Sequence, residues 1–74
     1  MLSVYNRVHK YWETTNVSVC YYEFFIDSSS DLPTDTSSFS EDGVTYKIMQ
    51  GSLAYDVNAD NLYMMNSGGI WVLK

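Results

Sequence analysis

Basic side chains are scarce in this chain. Only Arg7, Lys10, Lys47 and Lys74 oppose nine acidic residues, and the formal charge over 74 residues is −5. Nucleic-acid binding needs a basic stripe that displaces counterions from phosphates, and these scattered cations build none. The same deficit disfavours anionic membrane surfaces. Cysteine is rarer still: Cys20 stands alone, which excludes an internal disulfide. Its mid-strand setting suits a small hydrophobe. His9 is the sole histidine, so Cys/His metal spacing is absent. The longest apolar run, Val17–Ile26, is interrupted by Ser18 and Glu23 and is too short to span a bilayer. The opening Met-Leu-Ser-Val-Tyr-Asn-Arg lacks the charged-then-apolar order of a signal peptide. The expectation is synthesis in the cytoplasm with a reduced thiol.

Aromatic and sulfur side chains are abundant instead: seven Tyr, three Phe, two Trp and four Met. Such residues fill small β cores, and they are also enriched in protein–protein interfaces. A chain of this length forms one domain, here 1–74. A domain near this size buries only about 60% of its unfolded surface. It usually needs a staple or a partner. With disulfide and metal excluded, association is the remaining route, so a homo-oligomer or docking onto another protein is expected.

The C-terminal third is the clearest writing in the chain. Gly51-Ser-Leu-Ala-Tyr-Asp-Val, Leu62-Tyr-Met-Met-Asn and Ile70-Trp-Val-Leu are short apolar runs. Asn58-Ala-Asp-Asn and Ser67-Gly-Gly separate them, as turns separate a three-stranded antiparallel meander. Upstream, Met1–Tyr5 reads as a short strand, Asn6–Lys10 as a polar turn, and Tyr11-Trp12 as resumed apolar pattern. Asn16 marks a second turn. Val17–Ile26 is the main strand, apolar on both faces toward its end, as in a central or covered strand. Residues 27–42 form a polar loop around Pro33, with room for one helical turn near Ser30 or Asp31. Val44–Met49 is the next strand, with a bend at Gln50-Gly51. The fold expected is all-β: a small antiparallel sandwich or open barrel of about six strands ending in that meander. Tyr5…Trp12 and Tyr63…Trp71 hint at two related hairpins.

Candidate chemistry is thin. Asp56-Val-Asn-Ala-Asp60 starts like a calcium loop, but the pattern needs Gly sixth and Glu twelfth, where Asn61 and Ser67 stand. A polar turn explains it better. His9 and Cys20 have no spacing that supports a base–nucleophile pair, and His9 reads as solvated beside Lys10. The carboxylates are spread along the chain, and Gly68-Gly69 lies in a hairpin, not before a helix. No catalytic residue, metal or cofactor is expected, and the chain is read as a non-enzyme. The residues expected to meet a partner are Tyr21, Tyr22, Phe24, Tyr63 and Trp71. Tyr63, Trp71 and Asn66 would also suit stacking on a sugar, although core packing explains the two rings as well. The acidic balance could imitate phosphates, although it also serves solubility.

The segments Ser30-Asp-Leu-Pro-Thr and Gly51-Ser-Leu-Ala-Tyr through Leu62-Tyr and Gly69-Ile-Trp-Val carry a resemblance. In them the chain resembles small structural proteins and tail or fibre modules of bacteriophages. The Asn58–Asn61 turn departs from the Thr-Gly such proteins often carry there. The resemblance implies a virion component (head decoration, fibre or tail-associated) without enzymatic activity, assembled with itself or other virion proteins. An inhibitor of a host or defence protein, and a carbohydrate-binding module, are the competing expectations.

Overall fold

The computed structural model describes residues 1–33 and 39–74. Among these residues seven strands form one open sheet: β1 Leu2–Thr14, β2 Val17–Ile26, β3 Phe39–Glu41, β4 Val44–Ile48, β5 Leu53–Asp56, β6 Asn61–Met65 and β7 Trp71–Leu73. The fold is all-β. A 3-10 turn, Ser29–Asp31, follows β2. The expected polar loop 27–42 is only partly a loop: residues 27–33 carry the 3-10 turn, Phe39–Glu41 form β3, and 34–38 lie outside the described residues.

β2 organises the sheet. β1 pairs antiparallel with it from Val17 to Ile26 and so occupies one whole edge. The other edge is shared end to end by two parallel partners: β4 along Val17–Cys20 and β5 along Glu23–Ile26. Between them Met49–Ser52 leaves the ladder through a turn, with Gly51 at φ +90°. A side chain fills the resulting gap. Ser52 Oγ accepts the Tyr22 backbone N–H at 3.0 Å, so a buried donor is not orphaned. These parallel pairings depart from the all-antiparallel expectation. No local signal in the sequence encodes them, because a bend at Gly51 reads the same whether the chain reverses or continues.

Beyond β4 and β5 the sheet divides. β3 pairs with β4, and β6 then β7 extend from β5, all antiparallel. The expected closing meander is therefore present. Both arms curl over the same face of β2: Phe39 of β3 and Trp71 of β7 each meet Phe24, at ring-centroid distances of 5.9 and 6.1 Å. Strand periodicity puts Ser18, Cys20, Tyr22, Phe24 and Ile26 on that core face, all buried. Ile48, Ala54 and Met65 complete the core, and Phe39, Tyr46, Tyr63 and Trp71 seal it. Tyr22 stacks on Phe24 at 4.9 Å and on Phe39 at 5.4 Å. Trp71 Nε1 donates to the Pro33 carbonyl at 2.9 Å, which ties the meander to the segment after the 3-10 turn.

The first strand corrects the sequence reading. Asn6–Lys10 is no turn, and Tyr5 and Trp12 lie on one strand, so the two-hairpin echo fails. Register shifts leave Tyr5, Lys10 and Glu13 without opposite partners, which makes three bulges in a 13-residue strand. Each bulge resets the inside–outside alternation. Leu2, Val4, Arg7, His9 and Trp12 thereby lie opposite core-facing residues of β2, while Val8 and Tyr11 lie on the outer face. A polar run is compatible with this strand because every residue after Leu2 is exposed.

Candidate interaction surface

The five residues expected to meet a partner do not form one surface. Tyr22 and Phe24 are core residues at 1% and 2% exposure. Tyr63 and Trp71 are half-buried and packed against that core. Tyr21 lies on the opposite face, where its hydroxyl donates to Glu23 Oε2 at 3.1 Å. Burial and then Glu23 push the Tyr21 phenol up from its ordinary value. The residues of the sugar reading are engaged within the fold: Tyr63 and Trp71 as above, and Asn66 in its own loop. Asn66 Oδ1 accepts the backbone N–H groups of Gly68 and Ile70, at 2.9 and 3.0 Å.

A different set is exposed. Val4, Tyr5, Val8, Tyr11 and Trp12 project from β1, with Tyr5 69% and Trp12 54% accessible. Val4 and Trp12 lie on the core side of the strand, whereas Tyr5, Val8 and Tyr11 continue into the sheet on the outer face. The Tyr5 ring meets Phe25 edge-on at 5.2 Å, and Phe25 meets Tyr55 edge-on at 6.4 Å. Tyr5, Phe25, Tyr55 and Leu62 enclose a depression of about 220 Å³ with Glu23 at its side. Glu23 is held by Tyr21 and by Asn6 Nδ2, which donates to Oε1 at 3.2 Å. Further along, Val8 stands opposite Tyr21 and Tyr11 opposite Val19. A continuous apolar band of this kind marks interaction sites more than isolated exposed residues do. Aromatics spaced along a strand were its available signal, hidden by the bulges.

The outer edge of β1 carries no partner strand among the described residues. Three bulges and the cations Arg7 and Lys10 guard it against edge-to-edge pairing. Association through this strand therefore favours its side chains over its backbone.

The other candidate groups are also placed. His9 lies opposite Cys20, not in a polar turn, and its Nδ1 is 2.5 Å from Ser18 Oγ, which is 3.3 Å from Cys20 Sγ. Trp12 covers the imidazole at 5.0 Å. No local spacing joins these three; the β1–β2 register does. Cys20 is wholly enclosed and Ser18 nearly so, and the clefts beside β1 open onto neither. Asp56 Oδ1 accepts the backbone N–H groups of Asn58 and Ala59, both at 3.0 Å. Asp60 takes a left-handed φ of +57° and accepts the Tyr55 hydroxyl, which raises the Tyr55 phenol. The segment 56–60 thus works as a turn. Among the described residues no group of three His, Cys, Asp or Glu side chains could hold a metal ion.

Comparison with protein-family models, curated proteins and solved structures found no match for this chain. Function must be read from the surface itself.

Proposed function

We propose that this chain is a non-enzymatic structural component of a bacteriophage virion, as a head decoration, fibre or tail-associated protein. It acts by protein–protein assembly with itself or with other virion proteins, after synthesis in the host cytoplasm. The observation that carries the reading is the apolar band on β1 and the adjoining outer face. Tyr5, Val8, Tyr11 and Phe25 are exposed hydrophobics on the outer face of two neighbouring strands. Burying them against another surface would add to a small core the apolar contact it lacks. The phage assignment adds the resemblance of the C-terminal segments, whose strands and turns form the meander described above. Inhibition of a host protein by occlusion would use the same band.

Light scattering after size exclusion tests assembly, and mass spectrometry of particles of the encoding virus tests the virion role. The expected result is an oligomer in solution or the chain in particles at fixed stoichiometry. A monomer at high concentration that is absent from particles would overturn the reading.

A further inference from the structure

On the core side of β1, away from the outer-face depression, a cleft of about 410 Å³ opens between β1 and β3–β4. Its apolar walls are Val4, Phe39 and Tyr46, and Arg7, Tyr22, Ser40 and Glu41 contribute its polar groups. The Arg7 guanidinium carbon lies 4.3 Å from the centre of the Tyr46 ring. Stacking uses the face of the guanidinium and leaves its in-plane N–H donors free. Among the described residues no carboxylate pairs with Arg7; the ion pairs are those of Met1 and Lys47.

The Tyr22 hydroxyl adds a second donor. It is buried and has no hydrogen-bond partner among the described residues. Arg7 lies against this hydroxyl, and the Tyr22 side chain is the largest cause of the raised Arg7 value, although the distance and angle between the two groups fall short of a hydrogen bond. Burial pushes the Tyr22 phenol up against the opposing pull of Arg7, so the hydroxyl keeps its proton near neutrality. Buried polar groups are nearly always satisfied, and an exception calls for an explanation.

We propose that this cleft binds a carboxylate carried on an aromatic or branched apolar body. The carboxylate accepts from Arg7 and from Tyr22, and the body lies along Val4 and Phe39. A planar carboxylate matches the guanidinium edge. Ser40 at the rim offers a further hydroxyl, while Glu41 and the net charge of −5 disfavour polyanions such as phosphates. The site is independent of the assembly reading, since the band of Tyr5, Tyr11 and Phe25 takes no part in it.

Titration of the folded chain with N-acetylphenylalanine, followed by NMR, tests the site. The amide N-acetylphenylalaninamide and a pentapeptide ending in phenylalanine with a free carboxylate serve as the other arms. The acid is expected to shift the Arg7 Nε–H and Tyr22 ring signals, and to bind at least ~10-fold more tightly than the amide, as loss of a charge-assisted hydrogen bond implies. Tighter binding of the pentapeptide identifies a protein chain end as the source; equal binding identifies a free acid. Arg7→Gln and Tyr22→Phe should each weaken the acid about 10-fold. Tyr22→Phe keeps the ring stack, so it should melt at or above the parent temperature while losing affinity, and it carries the test if Arg7→Gln fails to fold. Equal binding of acid and amide, no binding at millimolar acid, parent affinity in Tyr22→Phe, or a lowered melting temperature in that variant would each overturn the proposal.

Discussion

β1 and β2 are paired along almost their whole length, yet every residue of β1 after Leu2 is exposed, whereas Phe25 alone is exposed in β2. Both carry aromatic and branched side chains, so composition does not separate them. Position does. β2 has both edges paired and one face under the curled arms of the sheet. β1 has no partner strand on its outer edge among the described residues. Substitutions in β2 should therefore be read as stability, and substitutions in β1 as association.

The largest expected effect is Phe24→Ala. Phe24 touches Tyr22, Phe39 and Trp71, so its ring joins β2 to both arms. Truncating a buried Phe costs about 3–5 kcal/mol. That is most of the stability of a domain this small. Circular dichroism with urea should show a largely unfolded variant at room temperature. A cooperative transition near the parent midpoint would break the contrast between the strands.

Ser52→Ala comes next and sharpens the comparison at one hydrogen bond. Removing Oγ leaves the Tyr22 N–H unpaired inside the core, at a cost of about 1–3 kcal/mol. Hydrogen exchange at the Tyr22 amide should accelerate by more than at Phe24. Equal acceleration at both would mean that the bond merely reports global stability.

The closing hairpin supplies an internal control, because its two central glycines differ. Gly69 has φ +78°, a conformation disfavoured for a side chain, whereas Gly68 has no positive φ. A Cβ on Gly68 meets only Asn66 Oδ1, at 3.4 Å. Gly69→Val should cost about 1–2 kcal/mol, and Gly68→Val distinctly less. Thermal melts that rank the two the other way would show that the loop is not held as described.

These contrasts mark what the sequence disclosed. Val17–Ile26 was legible because nearly all of it is apolar, and the meander because Asn58–Asn61 and Ser67–Gly69 punctuate it. β1 was not, since bulges at Tyr5, Lys10 and Glu13 scramble a period of two. β3, three residues within a polar stretch, offers no periodicity at all. The surface was half legible. Many aromatics implied that some face outward, but Tyr22 and Phe24 were placed there when the central strand buries them. Arg7 and Tyr22 meet only through the β1–β2 register, which bulges make unreadable in advance.

The smallest expected effect on stability tests the other side of the comparison. Tyr5 and Tyr11 are the two most exposed aromatic rings of the chain's longest strand, at 69% and 55%. Among the described residues Tyr5 makes one ring contact, with Phe25, and Tyr11 makes none. Replacing both with Ser removes little buried area, so the melting midpoint should shift by no more than ~0.5–1 kcal/mol equivalent. Serine also keeps the strand soluble and leaves the backbone ladder to β2 intact. The same double variant should lose association, because large aromatics dominate interface energetics and truncating one costs 2 kcal/mol or more, roughly 30-fold in affinity. Light scattering of the pair against the parent separates the two effects. A folded variant that is monomeric where the parent assembles places the contact on β1; a variant that assembles like the parent removes the band from the interface; and one that unfolds shows that β1 contributes to the core through its rings, so that the division of labour between the two strands does not hold.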